Sequence, residues 1–92
     1  MIRVLILYDQ EPDAERYQQH VDLCRQVDGA TFRHGRVFGS PSGESRFAYY
    51  AEFEFPDMET FKTVARTPEF TNTGVDAMAM GVPFQAHFAD VS

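Results

Sequence analysis

Residues 45–55 read SRFAYYAEFEF and alternate with a period of two. Phe47, Tyr49, Ala51, Phe53 and Phe55 fall on one side, and Ala48, Tyr50, Glu52 and Glu54 on the other. Successive side chains of a strand point to opposite faces, so this is a β-strand with one face for a core and one mixed face. Just before it, GSPSGE at Gly39–Glu44 reads as a tight loop. ATFRHGRVF at Ala30–Phe38 reads as a partner strand, and the two strands form a hairpin.

The elements on either side complete the pattern. RVLILY, Arg3–Tyr8, is nearly continuously apolar, which suits a central strand covered on both faces. Asp9–Pro12 is a turn, Asp13 a helix cap, and an amphipathic helix is expected to run to about Val27, where Asp28-Gly29 ends it. Pro56-Asp57 opens a second helix, with Met58, Phe61, Val64 and Ala65 on its inner side. Thr67-Pro68-Glu69 starts a third, by cap, proline in the first turn and early acid. Gly81-Val82-Pro83 ends it, and Phe84–Val91 is a last strand. The order is β-α-β-β-α-β with one extra short helix, the ferredoxin-like α+β plan of an antiparallel sheet with helices on one face. The Tyr50/Glu52/Glu54 face is too mixed for a core and too aromatic for plain solvent. Two such sheets closing face to face into an α+β barrel would cover it.

Composition narrows the functional classes. The chain has 92 residues, the size of one domain spanning 1–92, and 43% of them are hydrophobic, including nine Phe. That much apolar surface on so small a core points to a homodimer. Fourteen acids against eight bases give a net charge of −6, which disfavours nucleic acid and anionic membrane surfaces. Seven of the eight bases are Arg, and Arg33 and Arg36 share one strand. They are either strand-to-strand ion pairs or a clamp for an anionic group. A lone Cys24 forms no internal disulfide and fits a reducing, cytoplasmic setting. Met1–Tyr8 reads as a strand rather than a basic-then-apolar leader, and no apolar run approaches spanning length.

The sharpest chemical feature is His20. It falls in the apolar stripe of the first helix with Tyr17, Val21, Cys24 and Val27, while Gln18, Gln19, Asp22 and Gln26 lie on the other side. Imidazole is the side chain that changes charge near neutral pH, so a histidine aimed at a core is either an acid/base or a packed ring bonded to a carbonyl or a Tyr hydroxyl. If the hairpin pairs evenly around GSPSG, His34 faces Tyr50; a slip of one residue moves it to the other face. Adjacent Tyr49 and Tyr50 point to opposite faces, Tyr49 toward the helices and Tyr50 toward the open side. Cys24 lies one turn after His20, where buried packing is the expectation and a Cys–His nucleophile the alternative. His87, in the last strand, reads as a polar strand residue. Met78 and Met80 read as core fillers or as a soft pocket wall. GSPSG lacks the Lys-Ser/Thr of a P-loop and the spacing of a dinucleotide loop, and the three His show no metal spacing. No cofactor or metal is expected.

Taken in order, these pieces resemble the EthD family of small dimeric α+β-barrel proteins over essentially the whole length. The matching residues are RVLILY, then His20-Val21-Asp22-Leu23 where many members carry His-x-Pro-Leu, and Asp28-Gly29 where Pro-Gly is common. Gly35-Arg36-Val37-Phe38-Gly39 follows, and Tyr50-Ala51-Glu52-Phe53-Glu54-Phe55 with the Asp-Met-Glu-Thr-Phe helix completes the set. The resemblance implies a ferredoxin-like homodimer. The family name derives from an ether-degradation cluster, and its members are often labelled reductases. Wider relatives include haem-degrading and cofactor-free monooxygenases and muconolactone-type isomerases, which share an apolar pocket between sheet and helices. Asp22 and Asp28 depart from two family prolines, which lets the first helix run straighter. The expected function is that of a small-molecule enzyme, an EthD-type oxidoreductase or a cofactor-independent oxygenase or isomerase, acting on a small apolar oxygenated compound in catabolism. His20 would move a proton and Tyr49 would orient a carbonyl or phenol. Tyr17, His34, Phe53 and Phe61 would line the site. The alternatives are a non-catalytic ligand-binding or accessory protein and a ligand-free structural dimer.

Overall fold

A computed structural model describes all residues, Met1–Ser92. Seven elements follow in order: β1 (Ile2–Tyr8), α1 (Ala14–Cys24), β2 (Thr31–Arg36), β3 (Tyr49–Phe55), α2 (Met58–Ala65), α3 (Pro68–Ala79) and β4 (Phe84–Asp90). The strands form one sheet in the order β2-β3-β1-β4, every neighbouring pair antiparallel. This is the ferredoxin-like arrangement that the sequence pattern predicts.

β1 is central, but only one of its faces is deeply covered. Ile2, Val4, Ile6 and Tyr8 are buried beneath the helices, while Arg3, Leu5 and Leu7 are half-buried on the other face. The continuous apolar run suggested cover on both sides; in this chain the second face carries no layer, as antiparallel sheets allow. β3 adds Ala51, Phe53 and Phe55 to the helix side. Phe55 packs against Phe61 of α2 at 5.2 Å and Phe70 of α3 at 6.0 Å between ring centres.

The helix starts follow their capping residues. Asp13 accepts from the Arg16 amide at 3.0 Å, Asp57 from Thr60 at 2.7 Å, and Thr67 from Phe70 at 3.3 Å. α1 ends earlier than expected, at Cys24, because the next amides turn to tighter partners: Gln26 bonds Leu23 and Val27 bonds Cys24. Gly29 then reverses the chain at φ 86°.

The hairpin differs from its sequence reading in two ways. The strands are shorter, Thr31–Arg36 and Tyr49–Phe55, and the register is shifted by one. His34 pairs with Ala51, and Tyr50 pairs with Gly35. The tip itself closes at Ser40 and Gly43, with two mutual backbone bonds of 2.9 Å. Irregular backbone on the Glu44–Ala48 side takes up extra residues, so the ladder does not continue the tip's register. The shift puts His34 on the helix side with Tyr49 and Ala51.

On the open face, Glu52 is only 6% exposed. Arg33 reaches it at 3.1 Å and Arg3 at 3.7 Å, and the Tyr50 hydroxyl bonds it. Arg33 also holds Glu54 at 3.2 Å, and Arg36 holds Glu11 at 2.9 Å. Both hairpin arginines are therefore in ion pairs and form no clamp. No helix is long and apolar enough to cross a membrane.

Gly29 and Gly35 make opposite demands. A Cβ at Gly29 would sit 3.0 Å from Val64 Cγ2 at a φ that only glycine adopts freely; one at Gly35 would meet nothing within 4 Å. Gly29→Ala is expected to lower the unfolding free energy by about 1–2 kcal/mol, whereas Gly35→Ala stays within about 0.5 kcal/mol. Urea midpoints of the two variants against wild type check this.

Candidate functional site

The amphipathic face of α1 carries two nitrogen-bearing side chains one turn apart, Arg16 and His20. α3 packs against α1 and places Asp76 opposite both. Arg16 clamps this carboxylate with two nitrogens, at 2.7 and 3.2 Å, and His20 Nδ1 lies 2.8 Å from Oδ2. The Arg16 guanidinium, and then the His20 hydrogen bond, hold the Asp76 carboxyl below its ordinary range. An ionised carboxylate only accepts, so Nδ1 carries a hydrogen, and in the neutral ring Nε2 carries the lone pair. Nε2 faces Cys24 Sγ at 3.4 Å. Burial pushes the Cys24 thiol up to about 12, with the Asp76 charge adding to the shift. It is a neutral, weak donor and no ready nucleophile. His20 itself is 2% exposed.

A cavity of about 280 Å³ lies between α3 and the sheet, with His20 in its wall. Val4, Ile6 and Phe53 form its floor. Phe84, Ala86 and Phe88 of β4 form one side, and Phe70, Gly74 and Ala77 of α3 the other. The site is open here because the helices leave the edge strand β4 largely bare: Phe88 is 69% exposed.

The residues expected to share one pocket are divided between two. His20 and Phe53 line the main cavity. Tyr17, His34 and Tyr49 line a separate recess of about 190 Å³ together with Glu11 and Gln18. Tyr17 is the partition, its ring 5.6 Å from His20 on one side and 5.1 and 5.5 Å from Tyr49 and His34 on the other. In the recess, His34 Nδ1 and the Tyr49 hydroxyl share a 2.8 Å hydrogen bond. Burial, with the Arg25 charge, lowers the His34 pKa, and burial raises that of Tyr49, so both are neutral at pH 7. Phe61 is outside both spaces; its ring packs on Phe88 of the main cavity at 5.3 Å. His87 is exposed on the open face beside Gln85. Met78 is exposed and neither fills the core nor lines a pocket, while Met80 packs against the core. No three His, Cys, Asp or Glu side chains converge as a metal site.

Asp76, Arg16 and Gly74 escaped the sequence reading. The available signal was Arg16 and His20 at i, i+4 on an otherwise apolar face, a pairing that calls for an acid from elsewhere.

The architecture matches solved structures along its whole length. An EthD (ethyl tert-butyl ether d) family protein from Bacillus halodurans C-125 has a TM-score of 0.80 at 27% identity, over 100% of this chain and 99% of that chain. A dimeric ferredoxin-like protein from Jannaschia sp. CCS1 has a TM-score of 0.74 at 18% identity, over 98% of each chain. The cofactor-independent oxygenase SnoaB from Streptomyces nogalater has a TM-score of 0.60 at 14% identity, over 98% of this chain and 90% of that chain. No protein-family profile and no curated protein matches the chain. The fold is that of the EthD and related ferredoxin-like DABB proteins.

The Asp76 latch has a pH signature. Its carboxyl lies below the ordinary unfolded value of about 3.9, so its contribution is complete well above that value and is lost as pH falls through the native one. Asp76→Asn is expected to cost about 1.5–3 kcal/mol at pH 7, the range for hydrogen bonds to charged groups. The gap to wild type should close as pH drops from about 5 to below 4. Denaturant midpoints of both proteins across pH 3–7 measure it.

Proposed function

We propose that this chain is a small-molecule enzyme of the EthD type, acting on a small, apolar, oxygenated organic compound. The observation that carries the reading is the main cavity: an apolar, aromatic-walled space of about 280 Å³ with one titratable ring in its wall, held by an ion-paired carboxylate. Its size suits a small ligand, lying just under the roughly 300 Å³ at which drug-sized sites begin. His20 is the acid/base in this reading. Asp76 keeps the hydrogen on Nδ1, so Nε2 is the basic nitrogen. A substrate hydroxyl competes for it only with the Cys24 thiol, a weak donor. Proton uptake at Nε2 then forms an imidazolium beside the Asp76 carboxylate, where the charge is stabilised. Removing a substrate proton is a first step common to cofactor-independent oxygenation and to isomerisation. Similarity to a cofactor-independent oxygenase of this fold supports that class of chemistry.

Tyr49 and His34 have no direct part in this version, because Tyr17 separates them from the cavity. Their recess supports Tyr17, and through it the position of His20.

A ligand-binding protein without turnover is the second reading. It is favoured by the fact that both His20 nitrogens already have partners. The two readings separate on His20→Gln, assayed with phenols, naphthols and lactones by absorbance change and by thermal shift. Enzymatic use of His20 predicts turnover that falls by about 10²–10⁴-fold while ligand-induced stabilisation persists. Stabilisation without turnover in wild type selects the binding protein.

The proposed assembly is a homodimer closed through the open sheet face into an α+β barrel. Leu5, Leu7 and Tyr50 on that face are half-buried and have no second layer, and Glu52 is a buried charge at its centre. The Jannaschia protein of this fold is dimeric. Sedimentation equilibrium is expected to give a dimer for wild type and a folded monomer for Leu5→Glu. A monomeric wild type removes the barrel from the proposal.

A further inference from the structure

The wall of the main cavity is poor in hydrogen-bond donors. Its polar side chains are His20, Thr71 and Thr73. Thr71 Oγ1 donates to the Thr67 carbonyl at 3.1 Å, and Thr73 Oγ1 to the Phe70 carbonyl at 2.6 Å. A hydroxyl has one hydrogen to give, so both oxygens are left as acceptors. His20 spends its Nδ1 hydrogen on Asp76, and Nε2 of the neutral ring faces only the weak Cys24 thiol donor, at 3.4 Å. No Lys or Arg is on the wall, and Arg16 commits both terminal nitrogens to Asp76. A ligand carboxylate would therefore meet no compensating charge in an apolar space, and a bare carbonyl or ether oxygen would meet no donor side chain. A ligand that donates would be matched.

The shape of the cavity adds the second half. Phe53, Phe70, Phe84 and Phe88 surround it with rings. Gly74 sits inside α3 with no positive φ to require a glycine, and an added Cβ would meet nothing within 4 Å. Glycine is unfavourable in a helix interior, and here neither backbone geometry nor packing calls for it. What its missing side chain leaves is room at the cavity wall.

We infer that the cavity takes a neutral phenol, its hydroxyl donating to an acceptor of the wall and its ring lying against Gly74, and that it turns away carboxylates and ethers of the same shape. This rests on the reading of the main cavity as the ligand site and names the chemistry that site selects.

Isothermal titration calorimetry at pH 7.5 with two matched sets tests it: phenol, anisole and benzoate, and 1-naphthol, 1-methoxynaphthalene and 1-naphthoate. In at least one set, the hydroxyl compound should bind about tenfold more tightly than its methyl ether, with the carboxylate weakest. Gly74→Leu should weaken binding at least tenfold. Ala86→Phe plugs the same space from β4, so the result does not hang on one helix variant. Gly74→Ala should melt above wild type and still bind. An ether or carboxylate that binds as well as the hydroxyl compound, with binding still blocked by the plugging variants, overturns the donor rule and leaves the site standing. Binding that ignores both plugging variants, or no binding by any probe of either size, overturns the site and this inference together.

Discussion

The molecule depends on a one-sided sheet with β1 at its centre. β1 bonds β3 along one edge and β4 along the other, and it buries every second side chain under the helices. The three helices do not cover the four strands evenly. α1 packs on α3, and the helix-side residues of β4 are left partly exposed. The cavity is what remains where cover runs out, between α3 and the bare inner face of β4. It is a product of layer geometry, and it is kept open by small residues, Gly74 and Ala77 on one wall and Ala86 on the other.

A polar latch holds the wall in place. Arg16 and His20 come from one turn of α1, Asp76 from α3, and no backbone bond joins those helices. The same three groups set the His20 tautomer and tie the two helices together. A substitution at Asp76 therefore acts on stability and on the basic nitrogen at once. Cys24 closes the chain of contacts as a protonated thiol, which makes its proximity to His20 a packing fact rather than a nucleophilic pair.

The elements of the fold were legible because each is written locally: alternation in Tyr49–Phe55 and helix starts at Asp13, Asp57 and Thr67; the end of α1 was not, since it stops at Cys24, short of Gly29. The register was not, because it depends on how many residues Glu44–Ala48 absorb outside the ladder, and no local rule counts them. His34 moved to the helix face for that reason. The site was half legible. His20 and Phe53 stand on the cavity because the periodicities of their own elements place them there. Tyr49 also faces inward, but the Tyr17 ring stands in the way, a fact of packing that periodicity does not carry. Asp76 lies 56 residues from His20 in sequence, and only the α1–α3 contact joins them.

The strand order also shapes how the chain must be made. RVLILY is synthesised before both of its partners, β3 and β4, and Ile2 pairs with Phe55 and Asp90. Both edges of the most apolar strand therefore stay unpaired until β3 and β4 have followed it, and pairings this distant in sequence close slowly. A short, apolar, β-prone segment with free edges is the kind that joins its copies in other chains. Arg3 is the one charge within it, and in the finished sheet that charge is matched by Glu54 at 3.3 Å. Before the sheet forms, the same arginine acts as a gatekeeper, keeping nascent strands apart by repulsion until their proper neighbours arrive.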